Sequence, residues 1–219
     1  MNILLTGGTG FLGKTIVNNI EGKLVKLGRT NCDINVDFVK HIPVLLQCFN
    51  LVIHAAGKAH SVPINDLQAQ EFHAVNVNGT KNLLKGLELS PKLPESFIFI
   101  SSVSVYGQDT GQLISEEFPL LATDPYGKSK IEAETIVHNW CEKNNVICTI
   151  LRLPLIAGPN PPGNLKAMIN GIKNGYYFNI AGGKAKKSMV LAEDVAQIIP
   201  KVSTIGGIYN LTDGYHPNF

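Results

Sequence analysis

The chain has 219 residues, 44% hydrophobic and 16% charged, with a net charge of +2. That length buries a sizeable core as one domain or one domain with a small lobe, and so small a charge gives no electrostatic case for nucleic acid. No apolar run approaches bilayer-spanning length and no charged-then-apolar signal opens the chain, so the expectation is a soluble, cytoplasmic protein with no membrane partner.

The first element is the most informative. Asn2 to Leu5 is an apolar, strand-like run, followed by Thr6-Gly7-Gly8-Thr9-Gly10-Phe11-Leu12-Gly13. Gly8, Gly10 and Gly13 satisfy G-x-G-x-x-G, and Gly7, Gly10 and Gly13 give G-x-x-G-x-x-G. Glycine there permits positive φ and close approach of a ligand to the backbone, and Phe11 and Leu12 restart the apolar pattern at helical spacing. A helix starting at that point aims free N–H groups and its positive dipole end at the turn, where a pyrophosphate sits. Strand, glycine turn and helix together predict a dinucleotide site. Gly13-Lys14-Thr15 resembles the close of an ATP-type phosphate loop, but Gly10 stands too near it.

Lys23 to Leu27 is predicted as the second strand, and Gly28-Arg29-Thr30 follows it. An acid near this point holds the ribose 2′-OH of NAD, whereas arginine accommodates the 2′-phosphate of NADP. Here the acid is missing and Arg29 is present, a lean toward NADP, with a solvated loop charge as the alternative. Asp33 is either an acceptor for the adenine amino group or a turn residue. Val36 to Cys48 carries apolar residues at helical spacing, interrupted by Pro43, and Leu51 to Ala55 is the third strand. Ala55, Ala56 and Gly57 end it with residues small enough to pass beneath a cofactor, and His54 reads as a satisfied core histidine.

Leu67 to Leu89 predicts a long helix containing Asn76, Asn78 and Gly79. Glycine inside a helix costs about 1 kcal/mol against alanine, so a sheet or helix is expected to press on Gly79. Phe97 to Ser101 is the fourth strand, Tyr126 to Lys143 a helix with Asp124 as N-cap and Pro125 at its first position, and Val146 to Leu153 the fifth strand. Ile208 to Thr212 is a last strand-like run. Short apolar strands alternating with helices predict an α/β fold, a doubly wound parallel sheet of Rossmann type. Cys32, Cys48, Cys141 and Cys148 show no C-x-x-C spacing, which predicts reduced thiols and no metal site. The Asn-x-Thr triplets at Asn78 and Asn210 are chance matches in a cytosolic chain.

Ligands bind at the carboxyl ends of such strands, and there the fourth strand ends in Ser101-Ser102. Tyr126 and Lys130, at i and i+4, share a helix face. An ammonium beside a phenol favours the phenolate, so Lys130 is expected to lower the pKa of Tyr126. Ser102 is then placed to hydrogen-bond the same substrate oxygen, and Tyr126 to take a carbinol proton as hydride leaves for a nicotinamide.

With TGGTGFLG, HAAGK, NVNGT, FISSVSVYG, PYGKSK, RLPLIAGP and Glu193-Asp194-Val195-Ala196 in that order, the chain resembles the extended short-chain dehydrogenases/reductases, the NAD-dependent epimerase/dehydratase family of nucleotide-sugar enzymes. The resemblance covers nearly the whole chain. It implies Ser102, Tyr126 and Lys130 as the catalytic triad, with Asn76, Leu153 and Pro154 near the active site and nicotinamide. It also implies Asn164 and Lys187 as contacts to the sugar nucleotide's diphosphate, with Ser104 on the substrate side, and a homodimer formed through the helix bearing the Tyr and Lys. Dehydratases of this family place Asp-Glu after the catalytic hydroxyl residue. Val103 and Ser104 stand there instead, which disfavours dehydration and leaves a UDP-sugar 4-epimerase or a 4-keto-sugar reductase using NADPH.

Lys187, followed by Ser188, replaces an arginine frequent in the family's substrate lobe, and lysine lacks the bidentate fork for phosphate. Lys184 and Lys186 are candidates to share its role, or the cluster is a solvated loop. The expected architecture is a NAD(P)-binding domain over 1–154 with a small, apparently incomplete substrate lobe over 155–219. Turnover of a UDP-hexose at C4 is the expected activity, with a non-catalytic NAD(P)-binding sensor or scaffold as the alternative of another class.

Overall fold

The computed structural model describes residues 1–59, 63–108, 110–176 and 186–214, without the side chain of Asn164. Among them a seven-stranded sheet runs β3-β2-β1-β4-β5-β6-β9, with β1 Asn2–Thr6, β2 Lys23–Gly28, β3 Ile34–Asn35, β4 Leu51–His54, β5 Ser96–Ser102, β6 Ile147–Leu153 and β9 Gly207–Asn210. Every pairing is parallel. From β1 the chain winds outward through β2 and β3, then crosses back to β4 on the other side of β1. The strand order therefore reverses between β1 and β4, the place where an open sheet of this kind leaves its ligand crevice.

Both sheet faces are covered, and alternation along each strand divides the core in two. Leu4, Val52, Phe97 and Phe99 join Leu83, Leu87, Val137 and Trp140 on one face. Ile3, Leu5, Ile98 and Ile100 join Ile16, Val195 and Ile199 on the other. The helices concerned are α1 Phe11–Asn19, α2 Asp66–His73, α3 Gly79–Glu88, α4 Pro125–Asn144, α5 Gly163–Lys173 and α6 Ala192–Ile205. Because parallel strands are buried on both faces, their side chains read as unbroken apolar runs such as FIFI.

The α4 start follows the predicted chemistry. Asp124 Oδ1 accepts from the Gly127 amide at 3.0 Å and Pro125 occupies the first turn. The helical spacing of Val36 to Cys48, by contrast, builds no helix. Pro43 supplies no amide hydrogen for one, and the Asn82 side-chain amide donates to the carbonyls of Phe38 and Val39 at 2.9 and 3.3 Å. The segment lies as a loop across α3 with Phe38 and Leu45 buried. It is this loop that presses on Gly79: a Cβ there would stand 3.2 Å from the Phe38 ring. The long helix is also interrupted, because Ala74–Asn78 widens into a π-helical turn between α2 and α3.

Beyond β6 the chain runs through β7 Leu155–Ala157 and α5, and β8 Met189–Leu191 pairs in parallel with β7. It then returns. Residues Ala192–Ile205 pack on the sheet as α6, and β9 lies beside β6 as its seventh strand, the turn between them using Gly206 and Gly207 at φ +75° and +108°. Within the stretch expected as lobe, β7 and β8 form a separate two-stranded sheet, and Ala192–Asn210 packs on and extends the seven-stranded one. No helix among the described residues is long and apolar enough to cross a membrane.

Candidate functional site

The glycine turn sits at the crevice. Gly7 has φ +74°, and a Cβ on it would meet the Ala55–Ala56 peptide at 2.7 Å. The Gly10 amide donates to Gly7 O at 2.9 Å, closing the turn. Gly10 is the N-cap of α1 with no side-chain cap, and no acid occupies the first turn, so the positive end of the helix faces the crevice uncompensated. Ala55, Ala56 and Gly57 leave β4 directly alongside. Leu12 is buried in the core with Leu5 and Ile16, and the Phe11 ring packs 3.1 Å from the place a Gly158 Cβ would take. These two side chains serve packing, which leaves their backbone amides as what they offer an anion.

At the end of β2, Arg29 is exposed. The Lys26 side chain crosses Gly8, its Cγ 3.0 Å from where a Cβ would be. Asp33 Oδ2 accepts from the Lys26 amide at 2.7 Å, so Asp33 ties down the turn after β2.

Ser102 ends β5 and caps the 3₁₀ turn Val103–Tyr106. Its Oγ accepts from the Ser104 amide and donates to Ser104 Oγ, both at 3.1 Å. Tyr126 enters from α4 near enough to Ser102 to feel its hydroxyl, its ring 5.9 Å from that of Phe72. Burial pushes the Tyr126 phenol above its ordinary pKa; the neighbouring Ser102 hydroxyl opposes that and Asp124 adds to it. The lowering expected from Lys130 is therefore not what this arrangement produces. The Lys130 amine is buried, and a buried ammonium must find an acceptor; it donates to Ile100 O at 2.8 Å and lies 4.6 Å from the centre of the Phe99 ring. Burial holds Lys130 down at about 8 while Glu134 works to raise it.

Asn76 is buried with its polar atoms engaged inside the protein. Oδ1 accepts from the Lys58 amide at 2.7 Å; Nδ2 donates to Lys58 O at 3.1 Å and to Ser129 Oγ at 2.8 Å. The π-helical turn presents Asn76 so that it clamps the Ala55–Lys58 turn to α4, where the Ser129 hydroxyl donates to Tyr126 O at 2.7 Å. Gly57 is needed beside this clamp, since a Cβ would stand 3.1 Å from Asn76 Oδ1 and 3.4 Å from Lys130 Nζ. His54 bonds Thr6 and Thr80 at 2.6 and 2.9 Å, and burial holds it down at about 3. It is a neutral core residue.

Pro154 joins β6 to β7. Lys186 and Lys187 are exposed ahead of β8, Lys184 lies outside the described residues, and Asn164 falls on α5. The sequence reading assigns no role to four residues around the site: Tyr106, Ser129, Glu134 and Arg152. Tyr106, Ser129 and Arg152 stand inside FISSVSVYG, PYGKSK and RLPLIAGP, and Glu134 continues the Tyr126–Lys130 face by a further four residues.

A glycine turn at the reversal point of a parallel sheet, with Ser, Tyr and Lys at its carboxyl edge, defines a Rossmann-type α/β protein with a hydroxyl-bearing site. Residues 3–211 match the model of the NAD dependent epimerase/dehydratase family, and the chain belongs to that family. A 4-epimerase of N-acetyl-alpha-D-glucosaminyl-diphospho-ditrans,octacis-undecaprenol from Escherichia coli O157:H7 is 27% identical over 232 residues, covering 97% of this chain and 67% of its own. A UDP-glucose 4-epimerase from Vibrio cholerae is 27% identical, covering 90% of this chain and 65% of its own. The chain thus spans about two thirds of the length of such relatives. The UDP-glucuronic acid 4-epimerase of Bacillus cereus, solved with UDP-glucuronic acid and NAD, shares the fold with a TM-score of 0.79 at 20% identity, covering 100% of this chain and 79% of that one.

Proposed function

We propose that the chain carries the catalytic half of a nucleotide-sugar 4-epimerase, interconverting UDP-linked hexoses at C4 by transient oxidation. The observation that supports it best is the Ser102–Tyr126 hydroxyl pair at the carboxyl edge of β5, with Lys130 one turn further along α4 and the glycine turn beside it. A bound nicotinamide dinucleotide supplies a hydride acceptor and donor. The α1 N-terminus and the Gly7–Gly13 backbone hold its pyrophosphate. Ser102 orients the sugar hydroxyl, and Tyr126 takes its proton and returns it after the ketone has turned over. Tyr126 takes this proton as the phenolate and is the phenol while the ketone stands; burial works against the phenolate, and Lys130, a cation on the same helix face, is assigned to favour it once sugar and cofactor are bound. Val103 and Ser104 offer no carboxylate pair for elimination, which favours epimerisation over dehydration. Lys187 and Asn164, on the segment after β6, are assigned to the diphosphate, and a homodimer through α4 belongs to the same proposal.

Arg29 favours a second reading, an NADPH-dependent 4-keto-sugar reductase. One titration separates the two. The chain is titrated with NAD, NADH, NADP and NADPH, then given UDP-glucose, UDP-galactose and their N-acetyl forms. Conversion of one sugar into its C4 epimer without net cofactor consumption supports the epimerase; NADPH binding with no epimer formed overturns it in favour of reduction. If Arg29 receives a 2′-phosphate, Arg29→Ala weakens NADP binding about tenfold, by loss of one charge-assisted contact, and leaves NAD binding unchanged.

The pH profile has a definite sign. The Tyr126 phenolate, whose pKa is raised, grows with pH, while Lys130 is a cation only below about 8, so turnover rises with pH up to about 8 and levels off above it. A kcat that keeps climbing about tenfold per pH unit beyond about 8 would remove Lys130 from its role as the cation that steadies the phenolate.

A further inference from the structure

Under the site lies one fully buried ion pair among the described residues, and the reaction proposed above uses neither partner. Arg152 on β6 and Glu134 on α4 are each 3% exposed. Arg152 Nη2 donates to Glu134 Oε2 at 2.7 Å and Nε reaches both carboxylate oxygens at 3.2 Å. The Ser101 hydroxyl donates to the same carboxylate. Replacing a buried pair by apolar side chains is often neutral or stabilising, so stability alone is weak grounds for one. Its position is more informative: Ser101 precedes Ser102, and Glu134 follows Lys130 by one turn.

The free end of the guanidinium leads elsewhere. Arg152 Nη1 donates to Tyr106 Oη and to Glu116 O, both at 2.9 Å. The Tyr106 hydroxyl passes the chain on, donating to Asn210 Oδ1 at 2.7 Å. Asn210, at the end of β9, holds the loop twice more, its amide donating to Glu116 Oε1 at 2.7 Å and its Nδ2 to Ile114 O at 2.9 Å. Phe118 packs edge-on against the Tyr106 ring at 6.0 Å. Residues 110–122 lie on the connection between Ser102 and Tyr126, and the Ala122 amide donates back to Val105 O at 3.2 Å. One buried cation thus ties the catalytic elements to the loop that joins them.

We propose that Tyr106, held between Arg152 and Asn210, is a positioning residue for the sugar nucleotide: it fixes residues 110–122 against the carboxyl ends of β6 and β9 so that Ser102 and Tyr126 meet the sugar at one spacing. The inference rests on the epimerase reading. The pyrophosphate of the cofactor, by contrast, is assigned to the β1–α1 turn on the other side of the crevice, away from this linkage.

Tyr106→Phe tests it, because the ring and its packing remain and only the hydroxyl that joins Arg152 to Asn210 is removed. The expected result is a KM for the UDP-hexose raised about tenfold, as for one lost hydrogen bond that leaves buried partners unpaired, with kcat within about threefold. NAD(P) affinity stays unchanged, and amide exchange quickens in residues 110–122 while α4 remains protected. Asn210→Ala, which releases the loop without touching the Glu134–Arg152 pair, gives the same split. An unchanged KM, or equal losses in sugar and cofactor binding, overturns the proposal while the epimerase reading stands. Absence of turnover on every sugar nucleotide by the unsubstituted chain overturns both.

Discussion

Tyr126→Phe lowers turnover of the UDP-hexose by about 10²–10⁴-fold, the span that a positioned general acid–base group contributes, and leaves NAD(P) affinity and the unfolding midpoint nearly unchanged. The ring contact with Phe72 survives in phenylalanine, and the hydroxyl lost lies beside Ser102 and, among the described residues, has no hydrogen bond that builds the core. The substitution therefore separates chemistry from folding. Steady-state rates, cofactor titration and thermal unfolding on the same preparation check it. A variant that retains half of the original kcat would show that the proton leaves by another route and would dismantle the roles of Ser102 and Lys130 with it. Ser102→Ala belongs on the same axis with a smaller loss, since it removes an orienting bond and leaves the proton acceptor in place.

How much of this is legible in the sequence follows from where the determining interactions lie along the chain. The β1–turn–α1 unit and the start of α4 are local: glycine conformations, an N-cap and a proline decide them within a few residues, and the structure has the same elements in the same places. Val36 to Cys48 misleads because apolar spacing is necessary for a helix but not sufficient. Phe38 and Leu45 meet α3 from a loop whose carbonyls accept from Asn82, a donor that stands on α3, far along the chain. The return of β9 to the sheet depends on pairing with β6, and no periodicity in a run as short as Gly207–Asn210 announces its neighbour. In the site, the i, i+4 spacing places Tyr126 and Lys130 on one face, but spacing says nothing of depth. Burial, which depends on every packed element, raises the Tyr126 pKa and turns Lys130 to a backbone carbonyl. The motif around Asn76 marks a residue near the site; what fixes its actual contacts is a π-helical turn, which depends on packing rather than composition.

The cofactor half of the site is most sensitive at Gly13. A Cβ there would lie 2.0 Å from Gly7 O, 2.7 Å from Gly7 C and 2.8 Å from Gly8 Cα. All three are backbone atoms of the turn itself, so no side chain is free to swing away, and relief requires α1 to back off from the loop. Overpacking of this kind costs about 1–3 kcal/mol and sometimes more. The same displacement withdraws the helix N-terminus from the anion it faces. Gly13→Ala is therefore expected to lower the unfolding midpoint by several degrees and to weaken NAD(P) binding by more than about tenfold, given that each 1.4 kcal/mol is a factor of ten. Gly10→Ala is the internal control for folding, since both substitutions stand in the turn that meets the pyrophosphate and only the unfolding midpoint separates them. Its φ of −76° suits any residue, and a Cβ would meet only Gly7 O, at 3.2 Å, so the neighbour has to give by a few tenths of an ångström. The two substitutions add the same methyl group three residues apart in one loop. If they lower the unfolding midpoint equally, close packing of α1 on the turn is not what shapes the site. If Gly13→Ala alone lowers it, the third glycine is there because the helix must touch the loop, and the dinucleotide is held by the backbone that contact brings forward.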